Sequence, residues 1–290
     1  MIVVCTPTGQ IGRQLVADLL DAGAPVRVIT RDPARLDPLF LGRVEVVQGS
    51  LADASVLADA LSGADSVFWL LPPDPTSTDP VQRALDFTRP LCEAIGKQSV
   101  RRLVYVGGLG HQETADTDTM GKAMGELIDQ TGVSYRTLRM PAFMENLLWQ
   151  IPVIKHQGVF LFPVNGDLKL PTCATRDIAT VAARTLLDDS WTGRDYIPVL
   201  GPADISHNDE AQILSEVLGR PVRYQQVPAE VFKANLIRTG TAEASAQWLA
   251  DLLTAIDGGL YNAEPRTPEA TTATTFRQWA EDVFKPAFLA

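Results

Sequence analysis

Short apolar runs alternate with amphipathic stretches over the first half of the chain. Ile2-Val3-Val4-Cys5 is a run of strand length, and the stretch after it places Ile11, Leu15, Leu19 and Leu20 on one helical face. Val26-Arg27-Val28-Ile29-Thr30 reads as a second strand, and it ends in Arg31-Asp32. Residues 33–41 read as a short helix and loop and residues 44–48 as a third strand, after which Asp53 caps a helix over 54–61. Residues 65–71 hold Ser66-Val67-Phe68-Trp69-Leu70-Leu71, the continuous apolar run expected of a parallel strand covered on both faces, and Pro72-Pro73 stops it. Asp79 starts a long helix whose stripe is Val81, Leu85, Thr88, Cys92 and Ile95. Strand five runs over 102–106 and is broken by Gly107-Gly108; a helix over 117–131 and a sixth strand over 134–140 lead to Pro141.

Strands alternating with helices in this way predict an α/β fold, a doubly wound parallel sheet of the Rossmann type. Beyond residue 149 the pattern loosens. Short strands are expected over 158–162, 168–172, 196–200 and 222–227, and helices over 176–187, 206–218, 228–238, 242–256 and 275–284. The expected division is a sheet domain over residues 1–152, to which 172–200 returns, and a smaller α+β lobe from 153–171 and 201–290. Ligands of such sheets bind beyond the carboxyl ends of the strands. The loops of interest are therefore 6–12, 30–35, 49–53, 71–76, 107–113 and 141–146.

Bulk properties narrow the classes. The 290 residues are 46% apolar and carry a net charge of −10, so an extended basic surface for nucleic acid or anionic membrane is not expected. Cys5, Cys92 and Cys173 are odd in number and lack paired spacing, which argues against a disulfide framework or zinc site. No arrangement of Asp, Glu or His suggests another metal centre. The first strand begins at Ile2, leaving no room for a signal peptide, and no apolar run is long enough for a bilayer; the expected address is cytoplasmic.

The first loop carries the clearest chemistry. Gly9 and Gly12 are spaced to let a pyrophosphate approach the backbone and a helix pack close to the strand. Unpaired amides and the helix dipole favour an anion there. Thr6 stands where a dinucleotide fingerprint would have its first glycine, so the glycines alone are also compatible with a simple turn into a helix. Arg31 lies about twenty residues beyond the loop, where an acid would bind ribose hydroxyls and an arginine suits a 2′-phosphate; Arg35 offers a second contact. A solvated turn with an Arg31–Asp32 pair is the plainer alternative.

Thr8-Gly9-Gln10-Ile11-Gly12, Thr30-Arg31-Asp32-Pro33, Gly49-Ser50-Leu51-Ala52-Asp53, Phe143-Met144-Glu145-Asn146-Leu147, Thr175-Arg176-Asp177-Ile178-Ala179 and Gly193-Arg194-Asp195-Tyr196 together resemble the NmrA-like branch of the atypical short-chain dehydrogenases. The resemblance implies that the sheet domain binds NADP(H) or NAD(H), with a small-molecule substrate held under the second lobe; Arg31 favours NADP(H). It implies hydride transfer to a quinone or another conjugated carbonyl. A nucleotide-binding regulator without turnover and a biosynthetic tailoring enzyme are the alternatives, and a homodimer is left open. The cofactor positions it implies are Thr6, Thr8, Gly9, Gln10, Ile11, Gly12, Arg31, Arg35, Ser50, Leu51, Leu71, Pro72, Gly107, Gly108, Lys122, Pro141 and Phe143.

Where many relatives have glycine this chain has Thr6, and where many have aspartate it has Ser50. The wider superfamily uses serine, tyrosine and lysine; here Lys122 is in place, but Asp118 stands four residues before it and Gly107-Gly108 replaces the serine. An ionised aspartate cannot donate a proton as a phenol does. Lys122 is the first catalytic candidate, for nicotinamide ribose or for negative charge near the acceptor, against a surface pair with Glu126. His111 is a candidate proton donor, against plain surface. Phe143, Met144 and Trp149 are expected to wall the cleft or to be core, and Asn146 to fix the loop at Pro141.

Overall fold

The computed structural model describes residues 1–110 and 119–290. The early apolar runs become β1 (Ile2–Cys5), β2 (Val26–Thr30), β3 (Glu45–Gln48), β4 (Ser66–Trp69), β5 (Arg102–Gly108) and β6 (Ser134–Met140). Between them lie α1 (Gln10–Asp21), α2 (Ala54–Leu61), α3 (Pro80–Gln98) and α4 (Thr119–Gln130). The second half adds β7 (Ala142–Phe143), α5 (Ile151–Gln157), β8 (Val159–Phe162), β9 (Leu170–Cys173), α6 (Thr175–Leu187) and β10 (Arg194–Pro198). It continues with β11 (Asp204–Ile205), α7 (His207–Leu218), β12 (Arg223–Gln226), α8 (Ala229–Arg238), α9 (Glu243–Asp257), α10 (Phe276–Trp279) and α11 (Lys285–Leu289).

Seven strands pair in parallel in the order β10-β6-β5-β4-β1-β2-β3. Side chains alternate between the two faces of each strand. Val4, Val28, Phe68, Val104 and Leu138 meet α1 and α6 on one face. Val3, Ile29, Val67, Trp69, Leu103 and Tyr105 meet α2, α3 and α4 on the other. The continuous apolar runs follow from this double burial. Burial also pushes the Cys5 thiol well above its ordinary pKa, as suits a small core residue.

Two expectations are corrected. Gly107-Gly108 does not break strand five: both residues stay in register, opposite Arg139 and Met140 of β6. The buried stripe of α3 is Ala84, Thr88, Leu91, Ala94 and Ile95, while Val81, Leu85 and Cys92 lie at its flanks. Two alanines on the inner face let the helix approach its neighbours closely, and larger residues seal the sides.

The remaining strands form two small sheets, β11-β9-β7 and β12-β8. Phe160, Leu214, Phe276, Trp279 and Phe284 pack together beside them. Glu145 sits in this core. Its carboxylate accepts from the Thr175 amide at 3.0 and 3.1 Å, the Thr175 hydroxyl at 2.8 Å and the Trp279 indole at 3.1 Å. Desolvation lifts its pKa, and these hydrogen bonds oppose that rise. One side chain thus joins the segment after β7, the first turn of α6 and α10. Asn146, expected to fix this loop, makes no such bonds; the work falls to its neighbour.

Glu145→Ala would strand three buried donors and leave a void. The expected cost is about 3–5 kcal/mol, read as a fall in Tm of about 10 °C in thermal unfolding.

Candidate functional site

The strand order reverses between β1 and β4, so a crevice opens beyond their carboxyl ends. Residues 6–12 form its floor. Thr6 adopts φ 54°, and the Gly9 amide returns to its carbonyl at 3.1 Å to close the turn. A β-branched residue in this region costs about 1–2 kcal/mol. Its hydroxyl is buried without a partner. α1 begins directly after Gly9, with no side chain capping its first amides. A Cβ on Gly12 would overlap the Thr6 carbonyl oxygen and come within 2.8 Å of the carbonyl carbon. Only glycine allows α1 to start this close to β1, which leaves Gln10 and Ile11 presenting backbone to the crevice.

At the end of β2 the Asp32 carboxylate accepts from the Ala34 amide at 3.1 Å, capping the turn Pro33–Arg35. Arg31 and Arg35 are exposed and neither forms an ion pair among the described residues; Asp32 is engaged by its own turn, so the plainer Arg31–Asp32 pairing is not what the turn contains. Gly49 bonds back to the Thr30 carbonyl, and the Ser50 hydroxyl accepts from Ala52. The Leu51 side chain is in the core, so this position offers a ligand its backbone alone. Leu71 and Pro72 are half-buried past β4, and open space adjoins Gly108 on β5. Pro141 is buried, and Phe143 packs from the rim onto the α1–α6 face of the core. Met144 belongs to the core of the lobe and Trp149 is 72% exposed, so neither walls the cleft. The residues present fit a phosphorylated dinucleotide: a cradle closed by glycine, uncapped helix amides, and two uncommitted guanidinium groups at β2.

Lys122 lies in the first turns of α4 and forms no pair with Glu126. It lines a cavity of about 310 Å³ with Tyr105, Thr137, Arg139 and Tyr196. Arg139 stacks on the Tyr196 ring at 3.6 Å. The sequence reading missed this cavity, because its lining comes from α4, β5, β6 and β10 and becomes one surface only when the edge strand β10 pairs with β6. It also missed Glu145, whose signal was a lone carboxylate in an otherwise apolar segment. His111 and Asp118 lie outside the described residues. Among the described residues no His, Cys, Asp or Glu cluster is placed to hold a metal ion, and no helix is long and apolar enough to cross a membrane.

Known proteins resemble this chain in sequence and fold. The model of the NmrA-like family matches residues 1–257. A (4-alkanoyl-5-oxo-2,5-dihydrofuran-3-yl)methyl phosphate reductase of Streptomyces griseus is 32% identical over 97% of each chain. An NAD(P)H azoreductase of Xenophilus azovorans is 31% identical over 87% of this chain and 86% of its own. Among solved structures, an NADPH-dependent quinone oxidoreductase of Escherichia coli, complexed with NADPH, superposes with a TM-score of 0.82 at 24% identity, covering 98% of this chain and all of that one. With the family model spanning most of its length and relatives above 30% identity along nearly all of it, this chain belongs to the NmrA-like family.

Proposed function

We propose that this chain is an NADPH-dependent oxidoreductase that passes hydride to a quinone or another conjugated carbonyl. The observation that carries the reading is the pairing of the Gly12-closed cradle with the uncommitted Arg31 and Arg35. Relatives named for reduction of an oxo-dihydrofuran, an azo group and a quinone support the redox class. Residues 1–152 with 172–200 serve as the nucleotide domain, and 153–171 with 201–290 as the substrate lobe.

The free amides of α1 take the pyrophosphate, with Thr8 beside them. Arg31 grips the 2′-phosphate and Arg35 adds charge; a planar guanidinium matches two phosphate oxygens at once. The Ser50 and Leu51 backbone borders the adenine side, and Leu71, Pro72, Gly107 and Gly108 border the nicotinamide side, with Pro141 and Phe143 at the rim. Bound nicotinamide supplies the hydride. Lys122 orients its ribose and lowers the cost of negative charge nearby. Asp118 and Gly107-Gly108 replace the superfamily's tyrosine and serine, so an activated acceptor is reduced through orientation and electrostatics. His111 returns the proton.

NADPH oxidation measured across quinones and conjugated ketones tests the activity. Consumption with at least one acceptor is expected; tight NADPH binding without turnover on any would favour a regulator. Arg31→Ala is expected to weaken NADPH binding about 10–100-fold while leaving NADH unchanged, read by calorimetry. For Lys122→Ala the expectation is a fall in kcat/KM of tenfold or more, and unchanged kinetics would return Lys122 to the surface.

A further inference from the structure

Helix α9 holds a polar atom that packing does not account for. The indole N–H of Trp248 is shielded from solvent and meets no acceptor among the described residues, whereas buried donors in proteins are nearly always satisfied. The position of the helix gives this orphan a meaning. At its start, the Ala242 amide donates to the Pro75 carbonyl at 2.8 Å, and the Ser245 hydroxyl donates to the Ser77 carbonyl at 2.8 Å. Both acceptors belong to the loop that follows β4. At its other end Ile256, with Leu252 and Leu253, packs on Leu109, the residue after β5. Tyr261 belongs to the same apolar cluster at this end.

The helix is therefore pinned across the carboxyl ends of β4 and β5. Ser245, Trp248, Leu252 and Ile256 follow a spacing of three, four and four, which is one stripe of an α-helix. With a rise of 1.5 Å per residue, Trp248 stands about 4.5 Å along the axis from the Ser245 anchor, within a span of about 16 Å to Ile256. The strand ends on that side carry Leu71-Pro72 and Gly107-Gly108, and open space adjoins Gly108.

We propose that Trp248 is a substrate-contacting residue whose indole N–H donates to the carbonyl oxygen of the hydride acceptor. The assignment rests on the reductase reading above. NADPH delivers the hydride, two electrons with one proton, to the conjugated ring. Negative charge gathers on the carbonyl oxygen, and the indole N–H holds that oxygen without giving up its own proton. The proton that His111 returns and enolisation of the ring C–H complete the hydroquinone. A fixed donor of this kind acts where a phenol would otherwise stand, and substrate binding satisfies a donor that the empty lobe leaves unpaired.

The test is calorimetry of duroquinone binding to the NADP+-loaded protein, a redox-dead ternary complex; the fully substituted ring also avoids thiol addition. Trp248→Phe keeps the ring and removes the N–H. About tenfold weaker duroquinone binding is expected, with unchanged NADP+ affinity and a Tm no lower than that of the parent, since an unsatisfied donor has been removed. Trp149→Phe, at an exposed tryptophan, is expected to bind as the parent does. Equal affinity in Trp248→Phe, equal loss in Trp149→Phe, or no duroquinone binding by the parent would each overturn the assignment. NADPH oxidation with duroquinone is read separately. A parent that binds duroquinone, is weakened by Trp248→Phe and consumes no NADPH with duroquinone or any acceptor of the panel above would overturn the reductase reading while leaving the Trp248 contact in place.

Discussion

The Glu145 carboxylate, buried and bonded by the Thr175 amide and hydroxyl and by the Trp279 indole, sets the geometry in which the two halves of the chain meet. Taking an ionised group out of water is costly, and what keeps it in place is donors from two separate parts of the fold, Thr175 at the start of α6 and Trp279 in α10. Removing any one donor would leave the remainder facing an under-compensated charge. The segment after β7, the start of α6, which packs on the sheet, and α10 therefore hold one another in register. Two further ties repeat the pattern on the same helix: Arg176 reaches Thr274 and Asp282, and Asp177 accepts from the Thr274 amide and hydroxyl.

The loop at the end of β1 shows a similar economy of means. Gly12 brings α1 against the Thr6 carbonyl, and that contact is what aims the uncapped amides into the crevice. Thr6 is held left-handed by the turn that Gly9 closes onto it. The strain is local, and the dense packing of β1 and α1 around it is enough to sustain it. At the far side, Asp32 is occupied by its own turn, and this separates the acid from Arg31. The two features are independent, and a phosphorylated dinucleotide needs both.

Much of the sheet was legible in the residues because burial on two faces writes long apolar runs, as in 65–71, and those runs have few alternative readings. The close approach of α1 to β1 was legible in the glycine spacing for the same kind of reason: Gly12 answers to one local constraint. Strand five was misjudged at Gly107-Gly108 because local propensity gave way to pairing with Arg139 and Met140. The stripe of α3 slid by about one turn position because close packing selected Ala84 and Ala94 over larger neighbours. Glu145, the cavity beside Lys122 and the placement of Trp248 depend on residues far apart in the chain. No window of sequence contains them.

One consequence lies in the route by which the chain reaches this form. β10 adds to the edge of the main sheet by pairing with β6, residue 194 against residue 135, after the chain has passed through β7, β8 and β9. Closing a loop of that length carries an entropic penalty that grows slowly with its size and must be met before the pairing returns any stability. The sheet therefore gains its last strand only after the chain has left it for residues 153–171, and residues 201–290 follow that strand. The two parts do not mature one after the other as beads on a string; they condense together. A partly made chain would expose the β6 edge in the meantime, an unpaired row of backbone groups open to strands from other molecules.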